Sequence, residues 1–141
     1  MENANDNIMP DGVEVLAAPK VIDDRGSLCF AENDLHIPFR TERVFWIFGV
    51  KEGKTRGGHA HRTCAEAIFP VHGSFELEVD DGRKRRTFFM DRPDSGILIP
   101  AGVWCCLKNF SEDAVCVVMA SQPYMAEGYI NDYDEFLSSV V

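Results

Sequence analysis

From residue 43 to residue 120 the apolar side chains follow the spacing of strands. Phe75, Leu77 and Val79 alternate with Glu76, Glu78 and Asp80, a period of two that sends one face to a core and the other to water. "RVFWIFGV" (43–50) is aromatic and β-branched and has no helical period. "AEAIFPVHG" (65–73) leads into "SFELEVDDGRKRRTFFM", where Asp81-Gly82 predicts a type I′ hairpin. "SGILIPAGVWCCLKNF" and "AVCVVMAS" (114–121) are two further apolar runs separated by the polar turn around "SEDA", and "DDRGSLCFAEND" (23–34) reads as another hairpin. Only "GYINDYDEFLSSVV" has a helical period, with Tyr129/Ile130, Tyr133, Phe136/Leu137 and Val140/Val141 on one face. Many short strands with Gly/Pro turns and one terminal helix predict an all-β sandwich or jelly roll.

Size and charge narrow this picture. The chain has 141 residues, which suits one domain over 1–141, with a flexible polar start over about 1–12. The net charge of −9 argues against nucleic acid and anionic membrane as partners, since both repel it. The five cysteines are odd in number and show no CxxC spacing, which points to reduced thiols and a cytoplasmic location. No run approaches the ~18 apolar residues of a membrane span, and no secretory leader is visible.

The chemistry concentrates in "RGGHAH" (56–61), which holds two of the four histidines. On a strand, His59 and His61 share a face and Ala60 takes the other. Such a pair is either two polar residues near a strand end or a site for metal or proton transfer. Its surroundings favour a site. Gly53, His59, His61, Glu66 and Gly73 follow G-x5-HxH-x4-E-x6-G, which resembles the first motif of the cupin superfamily. "PAGVWCCLKN" (100–109) resembles the second, with Cys105 where metal-binding cupins carry a third histidine.

A narrower resemblance spans about residues 20–137. "RGSL", "IPF", "RVFWIF", "RGGHAH", "GSFELEVDDG", "PAGVW", "FSEDAVCVVMAS" and "YINDYDEF" are similar to the sugar-nucleotide 3,4-ketoisomerases. The resemblance implies a cupin jelly roll with a short C-terminal helix and a homodimer with exchanged N-terminal strands. It also implies no cofactor, no metal, and a dTDP-linked 4-keto-6-deoxyhexose as substrate. The reaction moves the ketone between C4 and C3 through an enediol. His59 and His61 are then the catalytic acid/base groups, because imidazole titrates near ~6.5 and both takes and returns protons at neutral pH. Arg43, Arg56 and Lys108 are candidates for the diphosphate, Trp104 for stacking on base or sugar, and Glu66 for orienting an imidazole.

Three departures stand beside this. The aromatic strand (Phe45, Trp46, Phe48) lacks the tyrosine common in the family, "VWCC" replaces the usual "VWHE", and Glu66 stands where the isomerases often have glutamine. Two alternatives follow: a metal-dependent cupin using His59, His61 and Glu66, with or without Cys105, or a sugar-nucleotide binder without catalysis.

Overall fold

The computed structural model describes residues 8–140. Among these residues twelve strands and one α-helix run β1 Glu14–Ala17, β2 Lys20–Asp23, β3 Gly26–Cys29, β4 Arg43–Phe48, β5 Arg56–His61, β6 Glu66–His72, β7 Phe75–Asp80, β8 Arg85–Met90, β9 Ser95–Ile99, β10 Trp104–Lys108, β11 Val115–Ala120, β12 Tyr129–Ile130 and α1 Tyr133–Ser139, with a single 3₁₀ turn at Ala126–Gly128 before β12. They form two five-stranded sheets, β1-β9-β6-β11-β4 and β12-β5-β10-β7-β8, and a separate β2-β3 hairpin. The pairings are antiparallel throughout, and the result is the expected jelly-roll sandwich with a short terminal helix.

The core follows from the alternation. Phe75, Leu77 and Val79 of β7 meet Ile68, Ile97, Ile99, Leu107 and Val118 between the sheets, all within one buried cluster. The first sheet has a second apolar layer outside, where Ala67 and Phe69 of β6 are covered by Leu16, Ala18 and Ile37. A third cluster, Ala60, Ile130 and Phe136, lies on the outside of the other sheet beneath α1. Ala60 therefore faces away from the sandwich, and the histidines on either side of it face in.

Three local expectations change. The β7-β8 connection is a four-residue turn, not a two-residue type I′ turn, since Asp80 pairs with Arg85. The buried Asp81 carboxylate causes this, accepting from the backbone N–H groups of Asp11, Arg83 and Lys84 at 2.8, 2.8 and 2.7 Å. The helix begins at Tyr133, because Asp132 caps it by accepting from Glu135 N–H at 2.9 Å, and Tyr129-Ile130 pair with β5 as a strand. Residues 1–7 of the segment expected to be flexible lie outside the described residues, whereas 8–12 are pinned by buried Pro10 and by the Asp11–Asp81 bond. The "RKRR" run is also tied down: Arg85 reaches Asp80 and the Tyr133 hydroxyl, and Lys84 reaches Asp11. Among the described residues, no helix is long and apolar enough to cross a membrane.

Candidate active site

A cavity of about 410 Å³ opens between the sheets, with β4, β5, β6 and β10 in its wall and the segment 124–131 at its side. The local sequence aims His59 into it. Gly57 and Gly58 sit at φ +78° and +76°, and the β5-β10 register slips between Cys105 and Cys106, so β5 bulges one residue before the histidine. A side chain at Gly57 would meet the Cys105 carbonyl oxygen at 3.0 Å, which is why this turn of backbone takes glycine.

His59 lines the cavity. His61 lies behind it, only 4% exposed, with the ring centroids 5.0 Å apart. His61 Nε2 stands 3.1 Å from Glu66 Oε1. The ring nitrogen is not aligned for a hydrogen bond and has no other hydrogen-bond partner, so the contact is one of proximity alone. Burial holds the His59 imidazole below its ordinary value of 6.5, and neighbouring His61 pushes the same way. His59 is therefore a neutral base at pH 7.

Arg43, Arg56 and Glu66 also line the cavity. Arg43 donates from Nη1 to the Tyr129 hydroxyl at 3.2 Å, and its buried Nε has no protein partner. The Arg43 guanidinium also lies over the rings of Phe45 and Tyr124, at 5.3 and 5.7 Å. Trp104 and Lys108 are corrections. On β10 the inward residues are Cys105 and Leu107, so Trp104 and Lys108 point outward. Trp104 packs against Tyr133 and Phe136 of the C-terminal segment, and Lys108 pairs with Glu78 at 3.0 Å. Neither lines the cavity.

Sequence reasoning missed the tyrosines. Tyr124 and Tyr129, neither of them among the candidate site residues, both line the cavity. The available signal was Tyr129-Ile130 itself, an apolar pair set before the Asp132 cap and therefore outside the helix.

Among the described residues, one group of donors could approach a metal ion: His59, Glu66 and Cys105, within 4.8 Å of one another. With no ion beside it, burial pushes the Cys105 thiol well above its ordinary value and the Glu66 charge adds to this, so the sulfur carries its proton. As built, the arrangement has an imidazole and a phenol for moving protons and arginines for negative charge.

This sandwich is the fold of solved sugar 3,4-ketoisomerases. The family model described as "FdtA: WxcM-like, C-terminal" matches residues 11–141, and the chain belongs to that family. It is 37% identical over 123 residues to the TDP-4-oxo-6-deoxy-α-D-glucose-3,4-oxoisomerase of Aneurinibacillus thermoaerophilus, covering 87% of this chain and 88% of that one. A 3,4-ketoisomerase structure from Helicobacter canadensis is 36% identical and superposes with a TM-score of 0.89, covering 94% and 98% of the two chains. A sugar 3,4-ketoisomerase from Thermoanaerobacterium thermosaccharolyticum, solved in complex with TDP, is 27% identical with a TM-score of 0.91, covering 94% and 96%.

Proposed function

We propose that this chain is a 3,4-ketoisomerase acting on a dTDP-linked 4-keto-6-deoxyhexose, with His59 as the acid/base group at carbon. The observation that carries this reading is the His59 ring opening into a cavity that also holds two arginines. The hydrogen on C3 is acidic because the C4 ketone stabilises the enolate. His59 removes it and later returns a proton to C4. His61, buried against Glu66, holds the neighbouring imidazole in place, and the Glu66 carboxylate offsets the charge when His59 is protonated. Arg56 at the exposed end of β5 and the unpartnered Nε of Arg43 bind the diphosphate and sugar oxygens. On a chain of net charge −9, these local cations make binding of a dianionic ligand favourable.

We further propose a homodimer with exchanged N-terminal strands, in the cytoplasm. Val21, Ile22 and Leu28 of the β2-β3 hairpin are exposed, and among the described residues that hairpin pairs with neither sheet. The five thiols are free, as a reducing compartment requires.

The test is turnover of dTDP-4-keto-6-deoxyglucose followed in deuterated water. The wild type incorporates deuterium into the ring and yields the 3-keto product. His59→Asn loses ~10²–10⁴ in rate while its circular dichroism is unchanged. Prior chelation leaves turnover intact. Activity lost with a stoichiometric metal would favour the metal-dependent alternative, for which the His59, Glu66 and Cys105 grouping is the observation. Binding of the sugar nucleotide without turnover would favour the non-catalytic one.

A further inference from the structure

A 3,4-isomerisation moves two hydrogens, one between carbons and one between oxygens. His59 accounts for the first. The second needs a group that gives a proton to O4 and takes one from O3, and the cavity lining narrows the choice. Among the described residues that line it, hydroxyl groups come from Tyr124 and Tyr129. Tyr124 is 66% exposed and its ring serves as a platform beside Arg43. Tyr129 is held differently. As part of β12 it pairs with β5 directly opposite His61, so the backbone ladder fixes its ring beside both imidazoles. The ring centroids lie 4.9 Å from His59 and 4.5 Å from His61. Arg43 donates to its oxygen at 3.2 Å, which occupies one lone pair and leaves the phenolic hydrogen free to point into the cavity.

Building on the ketoisomerase reading, we propose that Tyr129 is a catalytic residue that carries the oxygen-borne proton between O4 and O3. In the first half, His59 takes the hydrogen of C3. The C–H electron pair becomes the C3=C4 double bond, and the ketone π pair forms an O4–H bond with the Tyr129 proton. A neutral enediol, an imidazolium and a phenolate result. In the second half the phenolate takes the proton of the C3 hydroxyl, the O–H pair becomes the π bond of the C3 ketone, and the C3=C4 π pair forms the C4–H bond with the proton that His59 returns. C4 is reduced and C3 oxidised within one molecule, and both side chains return to their starting state. The Arg43 cation stands beside the phenolate oxygen for the time it bears charge.

Tyr129→Phe removes one hydroxyl and keeps the ring between its neighbours. In deuterated water with dTDP-4-keto-6-deoxyglucose, the variant is expected to isomerise ~10²-fold more slowly than wild type. Deuterium should still wash into C3 of the recovered substrate, because His59 continues to form an enolate that returns to starting material. The ratio of exchange to isomerisation therefore rises by about tenfold or more, and TDP binding by calorimetry stays within about threefold. A ring that only packs against the imidazoles would lower exchange and isomerisation together. That outcome overturns the assignment, as does isomerisation within about threefold of wild type, or loss of TDP binding. Wild-type turnover, recorded in the same series above an enzyme-free blank, tests the functional reading separately. A silent wild type would defeat that reading and this inference with it.

Discussion

At the residue scale, burial acts in opposite senses on the two reactive side chains of the cavity wall. It disfavours the cation of His59 and the anion of Cys105, leaving both neutral. Cys116, also inside the sandwich, is pushed up to about 12 for the same reason. For His59 the consequence is a pH dependence of definite sign. Its folded value lies below 6.5, so the base form persists below that pH, and the acid limb of kcat/KM falls at a lower pH than a free imidazole would give. Stability has a matching dependence. The unfolded chain takes up a proton at its ordinary value of 6.5 and the folded chain resists it. The contribution is therefore complete above 6.5 and is lost as pH falls through the lowered folded value. Urea titrations of wild type and His59→Asn between pH 7 and about pH 5 check this, since the variant should lack that component of the acid loss. Parallel pH profiles of stability for the two proteins would contradict it.

At the element scale, β5 depends on its two glycines unequally. Both have positive φ, near +78° and +76°, but only Gly57 is also crowded, by the Cys105 carbonyl oxygen at 3.0 Å and Leu107 Cδ1 at 3.2 Å. Gly58 faces open space. Gly58→Ala should cost about 1–2 kcal/mol, for left-handed backbone alone. Gly57→Ala adds overpacking of about 1–3 kcal/mol and displaces β10 against the histidine strand. Chemical denaturation gives the order, and equal losses would show that the bulge does not rest on the close approach. "RGGHAH" displayed the pair of histidines and their shared face in the sequence, because strand period depends only on neighbours two residues apart. The bulge was not visible there, since it arises from the register of β5 against β10, which pairs Cys106 with Gly57 far along the chain.

At the scale of the whole molecule, the outer face of β4 is the unfinished surface. Val44, Trp46 and Phe48 are 51, 62 and 66% exposed on an edge strand of the first sheet. Large side chains in such a row are what contact with another chain would cover. If the proposed dimer covers this face, Trp46→Glu combined with Phe48→Glu should shift sedimentation from dimer to monomer at micromolar concentration while the sheet signal in circular dichroism remains. A monomeric wild type would remove the proposal.

What the sequence determined by itself is what short-range periodicity and turn chemistry encode: the strand-rich class, the terminal helix, the inward histidine pair, and the placement of Arg43, Arg56 and Glu66 near it. The sides of β10 were a different matter. Trp104, Cys106 and Lys108 alternate with Cys105 and Leu107, and both sets contain apolar groups, so a period of two says that the faces differ without saying which one meets the core. Only pairing with β5 and β7 turned Cys105 inward and carried Trp104 and Lys108 outward. The same holds for Tyr129, which reads as a helix-face residue until a two-residue strand places it opposite His61, 68 positions away in the chain. Contacts at that separation are set by sheet topology and the packing of two layers, and no local pattern encodes them.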